Sequence, residues 1–179
     1  PPSRRYRTSV EVDRAEHARA VAALRRQYAA LPPGAPVRLG KRTSNLFRFR
    51  PAATVPVLDP GGLDRVLAVD PVARTADVQG MTTYERLVQE TLAHGLMPLV
   101  VPQLKTITLG GAVVGLGIES SSFRHGLPHE SVTEMEILTG DGRVITARPD
   151  GPHADLFAAF PNSYGTLGYA LRLTIALAP

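Results

Sequence analysis

The segment Thr106–Ser122, TITLGGAVVGLGIESSS, places Gly110, Gly111, Gly115 and Gly117 among aliphatic and hydroxyl residues within 17 positions. A glycine withholds its Cβ, so such a run marks a place where backbone must come close to another strand or to a ligand. Spacing alone leaves two readings open. One is a glycine-bearing helix packed tightly on a sheet. The other is a helix start whose consecutive N–H groups cradle a pyrophosphate, with the hydroxyls of Thr106, Thr108, Ser120, Ser121 and Ser122 as further donors. The run is not GxGxxG behind a first strand, and no Walker loop exists. Lys41 is followed by Arg42, not by Ser or Thr, and Gly34 and Gly40 bracket five residues where four are needed. P-loop nucleotide hydrolysis is therefore not expected.

The elements around that segment predict an α+β chain. Asp13 and Glu16 read as a capping box for a helix whose apolar face is Ala18, Val21, Ala22, Leu24 and Tyr28, stopped by Pro32-Pro33-Gly34. Val37–Leu39 reads as a strand running into the polar turn Gly40–Asn45. Thr54–Leu58, Val66–Val69 and Thr75–Gln79 read as strands, and Thr82/Thr83 cap a second helix that buries Tyr84, Leu87, Val88, Thr91 and Leu92. Leu99–Val101 is a further strand. Val132–Leu138 and Arg143–Ala147 form a hairpin about Thr139-Gly140-Asp141-Gly142. A short helix over Asp155–Phe160, a turn over Ser163–Gly168 and a closing strand over Tyr169–Leu177 complete the order, with a seam near Asp77–Thr82.

Charge narrows the classes of partner. Residues 1–50 hold 12 of the 20 Lys+Arg and 3 of the 16 acids, so a net +4 chain carries a basic front. Such a front suits an anionic ligand or membrane surface, although a solvated basic helix accounts for most of these arginines. Nucleic acid is not expected, because aromatics are 6% and do not interleave with the bases. The absence of cysteine removes thiolate metal sites, iron–sulfur clusters, disulfides and cysteine nucleophiles. With no signal peptide or long apolar run, a cytoplasmic protein is expected, with membrane contact through the basic N-terminus as an addition. His125 and His129 lie four apart, but Gly126 and Pro128 between them argue against a helical metal-binding face. Ser163 lacks the preceding glycine of a nucleophile elbow. Glu134 and Glu136 are expected on one solvated strand face.

The run TLGGAVVGLGIESSSFRHG from Thr108 to Gly126 resembles the FAD-binding domain of the vanillyl-alcohol-oxidase/PCMH flavoproteins, and most of all their Δ24-sterol reductase branch. The Gly40–Asn45 turn, the Asp141-Gly142 hairpin and DLFAAFPNSYGTLGYALRLTI from Asp155 to Ile175 agree with it in order and spacing. The resemblance spans about residues 35–179. It implies a PCMH-type domain of two α/β subdomains, 37–79 and 80–179, behind a basic helical segment over 1–36, with FAD between the subdomains. Gly40, Lys41, Arg42, Thr43, Ser44 and Asn45, together with Thr108, Leu109, Gly110 and Gly111, would hold the pyrophosphate. Gln103 stands where relatives often carry glycine. Gly115, Leu116, Gly117, Ile118, Glu119 and Ser120 would run beside the ribityl chain and isoalloxazine, and Tyr169 and Ala170 would pass near the cofactor through their backbone.

Two departures refine what the resemblance implies. Relatives with covalently attached flavin use a His or Cys in or near these loops, and here the first loop has neither, so non-covalent FAD is expected. Other branches place a catalytic His where Ile118 stands, which leaves the acid–base group unassigned. The family's substrate-binding cap domain would follow the flavin domain. The chain stops directly after a strand, read as a fragment boundary, so it is expected to be the flavin-binding part of an oxidoreductase acting on a sterol or similar lipid, catalytically incomplete alone. A non-catalytic nucleotide- or anion-binding module is the alternative.

Overall fold

The computed structural model describes residues 4–41, 55–115 and 117–179, with side chains from residue 11 onward. Arg42, Thr43, Ser44, Asn45, Thr54 and Leu116 lie outside the described residues.

The first helix, α1, runs over Arg4–Ala29. It thus starts nine residues before the expected cap. Asp13 and Glu16 lie inside it and reach sideways to Arg65, which pairs with both. No glycine or proline interrupts Arg4–Arg14, and the helix runs past a cap signal that a tertiary ion pair has taken over. Its inner face is His17, Ala20, Val21, Leu24 and Tyr28, spaced for one stripe of a 3.6-residue period. Ala18 and Ala22 are exposed instead.

Strands β1 (Arg38–Leu39) and β2 (Val57–Leu58) pair in parallel as a small two-stranded sheet. Among the described residues of the expected Thr54–Leu58 strand, Val57 and Leu58 are in strand conformation. The main sheet holds six strands: β3 (Val66–Asp70), β4 (Thr75–Gln79), β8 (Tyr169–Ala178), β6 (Val132–Leu138) and β7 (Val144–Ala147) in that order, with β5 (Met97–Pro98) against the end of β8. All pairings in it are antiparallel. The division expected between residues 79 and 80 falls inside this sheet, because β3 and β4 pair onto β8 and not with β1 and β2. The Leu99–Val101 strand is displaced to β5, where Met97 and Pro98 meet Ala178 and Leu177.

Alternation on the central strands fixes two faces. Ala76, Val78, Met135, Ile137, Leu173 and Ile175 form one core with Tyr84 and Leu87 of α2 (Tyr84–Leu92) and Leu109 and Val113 of α3 (Leu109–Val114). Thr83 caps α2 by accepting from Arg86 N–H, and the α2 stripe ends at Thr91; Leu92 is exposed. The register shift between Glu136 and Ile137 leaves Leu171 as an extra residue on β8. Leu171 and Leu138 consequently pack with Leu24, Leu58 and Leu63 in a second core under the C-terminal half of α1. Short helices α4 (Ser122–His125) and α5 (Ala154–Ala159) complete the chain.

The β6–β7 hairpin closes at Thr139–Gly142 with Gly142 at φ +80°. Asp141 accepts from Thr139 Oγ1 and from Arg143, which lowers its carboxyl to about 2. The hairpin is tied to α1, since Tyr28 donates its hydroxyl hydrogen to the Gly140 carbonyl at 2.5 Å.

Candidate functional site

The glycine segment is set in place by two helix starts that lie side by side. Residues Thr83 and Thr108 bridge as neighbouring extended residues, Tyr84 N–H donates to Ile107 O at 2.9 Å, and Leu109 N–H donates to Thr82 O at 2.9 Å. Thr108 caps α3 by accepting from Gly111 N–H at 3.2 Å. A hydroxyl that accepts keeps its own proton to donate, so Thr108 remains a donor in principle. The backbone differs from the expectation. Leu109 N–H is bound to Thr82 O, Gly110 N–H to Gly80 O and Gly111 N–H to Thr108 Oγ1. The first-turn donors of α3 are thus engaged by the protein and do not form an open cradle. The unengaged N–H groups lie further on, at Gly117, Ile118 and Ser120, which have no partner among the described residues.

The glycines divide by what their missing Cβ would meet. A Cβ on Gly110 would lie 2.7 Å from Gly80 O and 3.3 Å from Ala170 Cβ, so this glycine is required by packing of α3 on β8. Gly40 lies close to the paired strand, where a Cβ would meet Val57 Cγ1 at 2.6 Å and Leu58 O at 3.3 Å. Gly111 and Gly117 face elsewhere. A Cβ on Gly117 meets nothing nearer than Glu119 Oε1 at 3.8 Å. A Cβ on Gly111 would meet Lys41 Nζ at 3.4 Å, besides the Thr108 hydroxyl at 2.8 Å. Lys41 follows β1, so two loops that are 70 residues apart in sequence meet at one point, with a cation on one and bare backbone on the other.

The remaining predicted residues fall as follows. Gln103 N–H donates to Glu119 Oε2 at 3.3 Å, which joins Gln103 to the segment. Glu119 is half-buried, and its charge with burial pushes the Tyr84 phenol up, burial being the larger cause. Ile118 is 78% exposed and Ser120 is exposed. Gly115 closes α3 by donating to Gly111 O at 3.0 Å. Tyr169 lies at the start of β8, where its hydroxyl donates to Val37 O at 3.3 Å and links the main sheet to the residue before β1. Ala170 has its carbonyl against Gly80, which closes that side of its backbone to a ligand. His125 ends α4 and His129 lies in a 3-10 turn over Pro128–Ser131. Among the described residues no group of three His, Cys, Asp or Glu is placed to hold a metal ion.

Two features escaped the sequence reading. Glu134 and Glu136 are not freely solvated but mostly buried and paired. Together with Asp77 they surround Arg172, at 2.5 Å (Asp77), 2.5 Å (Glu134) and 3.3 Å (Glu136). Glu136 also accepts from His17 Nε2 at 3.1 Å, while His17 Nδ1 accepts from the Gln79 amide at 3.0 Å. Burial raises Glu134 and Glu136, but Arg172 with Arg148 on the first and His17 with Arg172 on the second hold both below the ordinary carboxylate range. Matching polar phase on β4, β6 and β8 was the available signal. The second feature is the turn after α5. Asn162 N–H donates to Val113 O at 3.2 Å and Tyr164 N–H to Val114 O at 2.8 Å, so the turn closes the end of α3. Inside it, Ser163 Oγ is buried with no hydrogen-bond partner among the described residues.

An extended anionic cofactor fits this arrangement. Lys41 supplies a cation beside Gly111, three unengaged N–H groups follow, and Gly117 has nothing nearer than 3.8 Å to its missing Cβ. Comparison with known proteins agrees. The sequence profile of the family described as FAD binding domain matches residues 11–148, and the chain belongs to that family. It is 34% identical over 114 residues to a Delta(24)-sterol reductase of Pisum sativum, covering 64% of this chain and 20% of that protein. Over 130 residues it is 35% identical to a decaprenylphosphoryl-beta-D-ribose oxidase of Mycolicibacterium smegmatis, covering 69% and 27%. Cytokinin dehydrogenase 2 of Oryza sativa subsp. japonica is 34% identical over 119 residues, covering 66% and 21%. These relatives are FAD-dependent oxidoreductases, and the chain spans between a fifth and just over a quarter of their length. FAD is accordingly the cofactor of this domain, and its α+β architecture is that of the family.

Proposed function

We propose that this chain is the flavin-holding part of an FAD-dependent oxidoreductase, with the cofactor bound non-covalently between the loop after β1 and the glycine segment. The observation that carries the reading is Lys41 Nζ at 3.4 Å from the missing Cβ of Gly111. When bound, FAD supplies hydride transfer at its N5 atom. The chain's own residues position and neutralise. Lys41, with Arg42 beside it in sequence, offsets the charge of the diphosphate. The N–H groups of Gly117, Ile118 and Ser120 donate to uncharged oxygens, and Gly117 leaves room for close approach. Neither the first loop nor the glycine segment contains a histidine or cysteine that could attach the flavin.

The substrate is proposed to be sterol-like or another lipid, on the strength of the likeness to the Delta(24)-sterol reductases. Turnover is proposed to require residues beyond this flavin-binding part. Contact with an anionic membrane is a further proposal. Arg19, Arg25 and Arg26 lie on the exposed side of α1, while two of its three acids reach Arg65. No helix among the described residues is long and apolar enough to cross a membrane.

The visible spectrum of the purified chain, before and after acid precipitation, tests the central reading. A flavin band that moves into the supernatant is expected. Colour that stays with the pellet would overturn non-covalent binding. A colourless chain that takes up no added FAD would favour the non-catalytic anion-binding alternative. Lys41→Ala is expected to weaken FAD binding by about ten- to a hundredfold, the loss of one charge-assisted contact, measured by titration calorimetry.

A further inference from the structure

Glu119 brings a negative charge into the glycine segment, and no cation among the described residues pairs with it. The residue is half-buried, and its backbone is fixed on both sides. Ser122 Oγ accepts from Glu119 N–H at 3.0 Å, and Ser122 N–H donates to Glu119 O at 2.9 Å. Ser121 Oγ ties the same turn to Leu99 O at 3.0 Å. One carboxylate oxygen, Oε2, accepts from Gln103 N–H at 3.3 Å. The other, Oε1, takes no hydrogen bond among the described residues and lies 3.8 Å from where a Cβ on Gly117 would stand. The charge therefore stays against the bare backbone of Gly117, restrained by Gln103. A partly buried carboxylate without a cation costs stability, so it calls for a functional explanation. Its field is felt nearby, since it adds to burial in pushing the Tyr84 phenol up.

Charge along the segment orients the cofactor. Lys41 stands beside Gly111, and Glu119 follows eight residues further on. A diphosphate is attracted by the lysine and repelled by the carboxylate, so an uncharged end of FAD belongs at Gly117–Glu119. This end of the segment is open, with Ile118 78% and Phe123 91% exposed. A ring that must meet a substrate needs that opening, and the adenine does not. We infer that the Glu119 carboxylate holds down the reduction potential of the bound flavin by fixing a negative charge beside its ring. This rests on the reading of the glycine segment as the FAD site. Two electrons and one proton convert the neutral ring to an anion, and a fixed negative charge disfavours that anion. No proton transfer is assigned to Glu119.

Glu119→Gln removes the charge and keeps an oxygen for Gln103 N–H, so the fold should be retained. At one fixed pH, the variant is expected to favour reduced over oxidised FAD about tenfold more than the wild type does. For a two-electron couple that raises the midpoint potential by about 30 mV, read by equilibration with a reference dye. Glu90→Gln, which removes an exposed charge from α2, should leave the potential where it is. An equal rise in Glu90→Gln, or loss of FAD uptake in Glu119→Gln, would overturn the inference. An unchanged or lowered potential in Glu119→Gln would overturn it too and would place the adenine at this end. Failure of the underlying reading is seen separately, as absence of FAD uptake by the wild-type chain, and would take this inference with it.

Discussion

Arg172→Ala is expected to lower stability by about 3 kcal/mol at neutral pH, the cost of leaving partly buried carboxylates without their cation. For a chain of this size that is about 9 °C of melting temperature. Arg172 and its three carboxylates are each only 14–16% exposed, so solvent screens the interaction little. The pH dependence should reverse between the two proteins. In the wild type, Glu134 and Glu136 are held below their ordinary value of 4.5, so their contribution is present above that pH and is lost as the pH falls through the folded-state values. Without Arg172, burial and the neighbouring negative charges push the Glu134 and Glu136 carboxyls up, and mild acid then relieves the variant. Melting curves recorded from neutral pH into acid should therefore converge. Parallel curves would show that the network contributes nothing specific.

Gly80→Ala is expected to be more damaging still. A Cβ there would lie 2.9 Å from the Ala170 carbonyl carbon and closer yet to its oxygen, both backbone atoms. Gly80 N–H donates to Leu171 O and its carbonyl accepts from Gly110 N–H, both at 2.9 Å, so the overlap cannot be relieved without parting β8 from α3. A loss of about 4 kcal/mol, near 12 °C, lies above the usual overpacking range of about 1–3 kcal/mol because the clash is with backbone. Gly95→Ala is the control for glycine replacement as such. It has φ +69° with nothing within 4 Å of a new Cβ, so only backbone strain of about 1 kcal/mol is expected. Thermal melting of both variants by circular dichroism checks the contrast. Because Gly80 holds the start of α3, Gly80→Ala should lose FAD binding along with its fold.

The sequence was legible wherever local rules act alone. Thr75–Gln79 and Val132–Leu138 fall on the predicted residues, because alternation on a sheet with one apolar face is a local property. Thr83 at the start of α2 and the Thr139–Gly142 turn were readable for the same reason. The start of α1 was not, since Asp13 and Glu16 look like a cap until Arg65, 49 residues beyond Glu16, is seen to take their charge. Nor were the roles of Glu134 and Glu136, whose partner Arg172 lies on a different strand.

The candidate site shows the same division more sharply. Glycine spacing left open whether the segment packs on a sheet or holds an anion, and its resemblance to a flavin domain agrees with the family to which the chain belongs. Those are properties of residue type, and residue type is what a sequence states. Which glycines serve packing and which leave open space depends on what stands opposite each missing Cβ, and that is a neighbour from elsewhere in the chain. Gly110 is required by Gly80 and Ala170, whereas Gly111 faces Lys41. Likewise, the α3 donors are engaged by Thr82, Gly80 and Thr108. The sequence determined that a bare-backbone segment exists; long-range contacts alone decided which part of it can meet a ligand.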